Sequence, residues 1–222
     1  MSHRVDIFVA VQRILPKHGL SRLIGKVAES KRPWLKNLLI NRAIAAFSIN
    51  MHEAASDNLD DYENFNAFFT RTLKDDVRVI ANNHNSVCCP ADGVVSQAGT
   101  IDKNRILQAK GSDYSVSRLI GDSSSAQKFQ DGSFATIYLS PKDYHRVHMP
   151  VSGTLRATRY IPGELFSVND KTAQGLDSLF ARNERLVCEF ESELVGNFVV
   201  VFVGAMLAVS YTHLTLPTNR EV

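Results

Sequence analysis

Residues 134–150 read FATIYLSPKDYHRVHMP. The first six alternate aromatic, β-branched and small side chains, a strand signature. Ser140, Pro141, Lys142 and Asp143 then supply the residues of a turn. After that turn, His145 and His148 stand among Tyr144, Arg146 and Asp143, closed off by Pro150. A strand delivering a polar, histidine-bearing loop is therefore the central expectation.

Working outward, the same strand texture recurs in GVVSQAGTI (93–101), RILQAK (105–110), GTLRATRYI (153–161), RLVCEFES (185–192) and FVVVFVGA (198–205), separated by Gly, Pro, Asn and Asp. From about residue 87 the chain reads as a mainly β body. Before it the period changes. Ile7, Phe8, Val11, Ile14 and Leu15 share one helical face that Pro16 ends, and Leu20, Leu23, Ile24, Val27 and Ala28 make a second stripe. Pro33 sits where a first-turn proline is tolerated, with Trp34, Leu35, Leu38 and Leu39 beginning a third. Phe65, Phe68, Phe69 and Leu73 recur at helical spacing and predict a buried anchor. The fold class expected is α+β: a mainly β catalytic body with short amphipathic helices at the N-terminus. Boundaries are expected at residues 1–80 for the helical region, 81–210 for the β body and 211–222 for a tail.

Of 222 residues, 44% are apolar and 22% charged, which excludes disordered and fibrous classes. The net charge of +2 hides an asymmetry: residues 1–42 hold nine Lys/Arg against two Asp/Glu. Basic amphipathic helices can lie in a membrane interface beside anionic lipid or pack their apolar faces on the protein's own core, and periodicity leaves both open. The longest apolar run, Phe198–Val209, has twelve residues against the ~20 of a spanning helix, and no secretory signal is expected. Three cysteines, Cys88, Cys89 and Cys188, form no CxxC pair, so neither a disulfide framework nor a zinc site is expected.

For chemistry, Asp92 lies in Pro90-Ala91-Asp92-Gly93 at the entry to a strand, where Asp-Gly is first of all a turn signal. His145 and His148 face opposite ways on a strand but can converge in a turn, and with Asp143 alone nearby they fall short of a zinc site. General acid–base work is the better use of a histidine near neutral pH, above all where a carboxylate fixes its orientation. No GxSxG is present, and the residues alone identify no nucleophile.

Taken together, several segments resemble the bacterial phosphatidylserine decarboxylases. FNAFFTR (65–71), PADGVVSQ (90–97), ILQAKG (106–111), YLSPKDYHRVHMP (138–150), YIPGELFSVN (160–169) and LFARNERLVC (179–188) follow that family's order and spacing, and the resemblance runs from about residue 5 to Val209. It implies an enzyme with no added cofactor, whose pyruvoyl group derives from a serine in a C-terminal Gly-Ser-Thr motif when the proenzyme cuts itself. That group supplies the electron sink for loss of carbon dioxide from phosphatidylserine. It implies, further, that Asp92 is the triad carboxylate, that His148 activates the cleavage-site serine, and that His145 contacts the substrate carboxylate or delivers a proton. Implied partners are phosphatidylserine, an anionic membrane surface at the cytoplasmic face, and the C-terminal small subunit, with no nucleic acid.

One departure stands against this pattern. The only Gly-Ser pairs, Gly111-Ser112 and Gly132-Ser133, precede the histidines and lack the following Thr, and VSYTHLTLPTNREV (209–222) stands where the family chain continues. The expectation is a C-terminally truncated proenzyme, inactive alone, with residues 211–222 outside the family pattern and with strand edges and apolar surface left open. Two alternatives remain: a non-catalytic membrane-surface or scaffold fragment, and a Ser/His/Asp hydrolase using Ser96, Ser112, Ser133, Ser140 or Ser167.

Overall fold

A computed structural model of the chain describes residues 10, 12, 14, 16–81, 85–109 and 112–206. Helix α1 (Lys17–Ala28) follows Pro16, and helix α2 (Pro33–Phe47) starts with proline in its first turn and stops where Ser48 turns left-handed at φ 54°. Most of the first stripe read from sequence, Ile7, Phe8, Val11 and Leu15, lies outside the described residues. The core-packing reading holds for part of these helices, and part of their apolar surface is left exposed. Ala28, Ile40 and Ala43 are buried, while Leu23, Trp34 and Leu38 are 61%, 65% and 45% exposed. Helix α2 is thus apolar on the face it buries and on the face it presents to solvent.

Polar ties seat this region on the body. The buried Gln12 side chain donates to Thr172 Oγ1 and accepts from the backbone N–H of Ser167. Lys17 pairs with Glu164 at 2.9 Å and lies over the Phe166 ring. Lys36, also buried, donates to the carbonyls of Leu59 and Tyr62, both at 2.9 Å. A buried ammonium needs such partners, since desolvation otherwise costs several kcal/mol.

The predicted Phe65–Leu73 stripe becomes a shorter helix, α3 (Phe65–Phe69), capped by the Asn64 side chain accepting from the Ala67 N–H. Phe68 is fully buried with Ile40, Ala43, Ile49 and Tyr62. Leu73 lies beyond the helix, bridged to Ala54, so the stripe is not one continuous helical face.

The β body has seven strands among the described residues. β1 (Val94–Thr100) pairs antiparallel with β4 (Ser133–Tyr138), and β2 (Arg105–Ala109) with β3 (Ser112–Ser115). β5 (Thr154–Ile161), β6 (Arg185–Ser192) and β7 (Gly196–Val203) form an antiparallel meander with β7 at its edge. Short helices α4 (Val116–Ile120), α5 (Ser123–Gln127), α6 (Asp170–Gly175) and α7 (Leu179–Arg182) fill the gaps between sheets. The main core joins Ile101, Ile106, Tyr114, Val116, Ile120, Ala126, Ala181 and Val187. Val94 and Val95 on β1 remain 66% and 54% exposed. No helix of the described residues is long and apolar enough to cross a membrane.

Candidate active site

The site is built where two loops meet at the ends of β1 and β4. Val94 is paired with Tyr138, so the residues just before β1 and just after β4 emerge side by side. Gly93 makes this closeness possible, because a Cβ there would stand 2.5 Å from the Tyr138 carbonyl oxygen. After β4, Ser140 and Asp143 close a tight turn with Pro141 at its second position. The Asp143 N–H donates to the Ser140 carbonyl at 2.9 Å, and the Ser140 N–H donates to the Asp143 carboxylate at 2.6 Å.

Beyond that turn the chain has no regular secondary structure, and it runs back along the segment preceding Asp92. His148 N–H donates to the Pro90 carbonyl and Cys88 N–H to the Pro150 carbonyl, each at 2.7 Å. Two hydrogen bonds of opposite direction therefore zip residues 88–90 against 148–150, placing Asp92 and His148 in one loop cluster.

Within the cluster each predicted residue has its own surroundings. The Asp92 carboxylate does not hydrogen-bond either histidine. It is gripped from one side by Arg78, whose Nε lies 3.0 and 2.9 Å from the two oxygens and whose Nη2 lies 2.5 Å from one of them. His148 is exposed, and its Nε2 meets the Tyr144 hydroxyl at 3.1 Å with the two rings stacked. Burial raises the Tyr144 pKa, so the phenol keeps its proton near neutral pH. That proton can be donated to His148 Nε2, leaving the ring in its Nδ1–H tautomer.

His145 turns the other way. It is half-buried with its ring 4.0 Å from that of Phe69, and its Nδ1 is 2.7 Å from the Asp143 carbonyl oxygen. A carbonyl only accepts, so Nδ1 carries the hydrogen and Nε2 keeps its lone pair. Burial lowers the His145 pKa below 6.5, outweighing the opposite pull of the Asp143 contact. At neutral pH this is a neutral imidazole offering Nε2 as acceptor or base.

The FNAFFTR segment clamps the histidine loop from beneath. Phe69 covers His145, Arg146 Nε donates to the Thr70 carbonyl at 2.7 Å, and Arg71 Nη2 reaches the Lys142 carbonyl at 3.5 Å. Arg71 is 4% exposed and sits over the Phe68 ring. Two residues of this site, Arg78 and Tyr144, carried no assignment from sequence, and Phe69 was read there only as part of a buried anchor. Tyr144 sits four places before His148 in the motif and could have been noticed. Arg78, fourteen residues before Asp92 in an irregular segment, gives no local signal.

The hydrolase alternative finds no nucleophile here. Among the described residues Ser96 Oγ donates to the Thr136 carbonyl and Ser112 Oγ to Asp177, and Ser140 Oγ is buried without a partner. No serine side chain is hydrogen-bonded to either imidazole among them.

An α+β protein with a carboxylate and two imidazoles in different surroundings on strand-end loops is equipped for acid–base chemistry, and comparison with known proteins gives the class its name. Residues 65–214 match the phosphatidylserine decarboxylase family, and residues 7–48 match a second family described as PSD. A phosphatidylserine decarboxylase proenzyme of Alcanivorax borkumensis is 54% identical over 209 residues, covering 93% of this chain and 72% of its own length. One of Acinetobacter baumannii is 52% identical over 202 residues, covering 91% and 71%, and one of Pseudomonas aeruginosa is 49% identical over 227 residues, covering 100% and 78%. The chain belongs to the phosphatidylserine decarboxylase family, whose members are carboxy-lyases.

Proposed function

We propose that this chain is the greater part of a phosphatidylserine decarboxylase proenzyme, acting at the cytoplasmic face of a membrane to convert phosphatidylserine into phosphatidylethanolamine and carbon dioxide. The observation that carries this reading is the zipping of residues 88–90 against 148–150, which gathers Asp92 and His148 at one place on a chain about half identical to named proenzymes.

In the self-cleavage step His148 is the base that takes the proton of the cleavage-site serine, and Asp92 holds its charge and orientation. Tyr144 fixes the ring plane and leaves Nδ1–H for Asp92, and its hydroxyl gives up Nε2 when the serine arrives, since that lone pair is the one that takes the proton. In turnover His145 works through its free Nε2, which takes up a proton and then hands it to the reacting centre. Its half-buried seat against Phe69 limits competing water. The pyruvoyl group supplies the electron sink when present. Its precursor is not either Gly-Ser serine: Ser133 opens β4 at the end opposite the histidine loop, about 17 Å from Tyr138 at ~3.3 Å per residue, and Ser112 is engaged with Asp177. His148 and Asp92 are the residues that would serve a serine brought to this loop by the rest of the proenzyme, which would also contribute the small subunit.

Membrane contact is assigned to the N-terminal helices, where nine cations among residues 1–42 accompany exposed Leu23, Trp34 and Leu38. The test is release of labelled carbon dioxide from carboxyl-labelled phosphatidylserine by the full-length proenzyme in mixed vesicles. Release with matching phosphatidylethanolamine supports the reading; processed enzyme that releases none would sink it.

A further inference from the structure

The tightest polar arrangement near the site belongs to a residue with no assigned role. Arg78 lies in an irregular segment and holds two carboxylates at once: Asp92, through Nε and Nη2, and Glu53, whose Oε2 accepts from Nη2 at 2.8 Å. Both contacts raise the Arg78 pKa, the Asp92 hydrogen bond most. Glu53 is itself fixed. Its Oε1 accepts from Asn50 Nδ2 at 3.0 Å, its carbonyl accepts from the Lys74 N–H at 2.9 Å, and it sits in a one-turn helix, Met51–Glu53, that the Asn50 side chain caps. The backbone around it pairs with the segment leading to Arg78, through Ala55 N–H to the Thr72 carbonyl at 2.9 Å and the Ala54–Leu73 bridge.

A continuous relay therefore runs from Asn50 through Glu53 and Arg78 to Asp92, starting in the segment that follows α2 and ending on the strand-entry loop. We propose that Arg78, backed by Glu53, is the positioning residue that sets the Asp92 carboxylate for its work with His148. The inference rests on the proposed role of Asp92. The chemistry suits it: a planar guanidinium can meet both carboxylate oxygens and a second acid with separate N–H groups, whereas an ammonium acts as a point charge. The fork meets Asp92 from one side, and each carboxylate oxygen has two lone pairs, so acceptor capacity remains for an imidazole N–H. Asp92 without the fork would be free to rotate away from His148, and misplacement of a supporting group by about 1 Å can cost about 10²-fold in rate.

The test measures self-cleavage of the full-length proenzyme, followed by intact mass against time, for Arg78→Gln, Arg78→Lys, Arg78→Ala, Glu53→Gln and Asp92→Asn. Arg78→Gln should slow cleavage by about 10²-fold, with Arg78→Lys intermediate and Glu53→Gln milder in the same direction. Added guanidinium chloride at low millimolar concentration should partly restore Arg78→Ala, a rescue that a merely structural role would not show. Slow cleavage in Asp92→Asn with an unchanged rate in Arg78→Gln would overturn the inference alone. An unchanged rate in Asp92→Asn would overturn the underlying reading. Faster cleavage in Arg78→Gln would mean that Arg78 restrains Asp92 rather than positions it, and would equally overturn the proposal. If a variant fails to fold, the 222-residue chain still decides the contact. The Arg78 Nε–H resonance should be slow to exchange and should collapse to a free-arginine position in Asp92→Asn; a free position in the unsubstituted chain contradicts the clamp.

Discussion

His148 donates its backbone N–H to the carbonyl oxygen of Pro90 at 2.7 Å. With the Cys88 N–H to Pro150 carbonyl bond it joins the segment leading to Asp92 to the one that carries His148, next to the close approach of β1 and β4 at Gly93. Replacing Gly93 with Ala puts a methyl group 2.5 Å from the Tyr138 carbonyl oxygen, where backbone must move to accommodate it. Gly93→Ala is expected to destabilise the fold by about 1–3 kcal/mol and to expose the His148 amide to faster hydrogen exchange. Urea unfolding and exchange mass spectrometry read the two effects.

Asn183 is a second structural keystone. It is fully buried, donates to the Phe166 and Gly204 carbonyls at 2.8 and 2.7 Å, and accepts from the Phe166 N–H at 3.1 Å. Asn183→Leu leaves the Phe166 N–H and the Gly204 carbonyl without partners, the Phe166 carbonyl keeping the Met206 N–H at 3.4 Å, and is expected to cost about 2 kcal/mol or more, since each orphaned group can cost about 1–3 kcal/mol. A drop in urea midpoint with an unchanged slope is the predicted signature.

The lowered His145 pKa makes stability depend on pH. The folded state binds a proton less readily than the unfolded chain, whose histidine titrates near 6.5. The contribution is fully present above that value and is lost as pH falls through the lower folded pKa. Melting temperatures should fall as pH drops below the unfolded-state value of about 6.5, and the slope should flatten in His145→Gln. An unchanged slope would show that His145 is not the group responsible.

Trp34 is the only tryptophan in the chain and is 65% exposed on α2, so its fluorescence reports membrane contact directly. Vesicles containing anionic lipid should shift its emission to the blue, less so at high salt, and neutral vesicles should do so weakly. Deleting residues 1–42 should abolish flotation with anionic vesicles. Equal, salt-independent responses to neutral and anionic vesicles would remove the electrostatic part of the proposal.

Much of the fold was legible because period and punctuation agreed. GVVSQAGTI, RILQAK, FATIYLS, GTLRATRYI, RLVCEFES and FVVVFVGA all contain strands, and Pro33 marks a helix start. β3, whose sequence is SDYS, and the five-residue α4 and α5 carry too short a pattern to be read. They owe their form to caps and burial: Ser115 caps α4, Asp122 caps α5, and Tyr114 fills the core between them and the sheets. The site divides similarly. Asp92, His145 and His148 lie in compact motifs, whereas the Arg78 grip on Asp92 and the Phe69 cover on His145 join residues 14 and 76 positions apart, a separation no local spacing encodes.

The central claim is that Asp92 and His148 act together on a serine to complete the enzyme, and intact-mass spectrometry of the full-length proenzyme tests it most directly. The unsubstituted protein should resolve into two pieces, the smaller bearing a hydrazine-reactive carbonyl, while His148→Ala should stay a single uncut chain and His145→Ala should still be cut. Normal cutting of His148→Ala, with the carbonyl formed, would contradict the account.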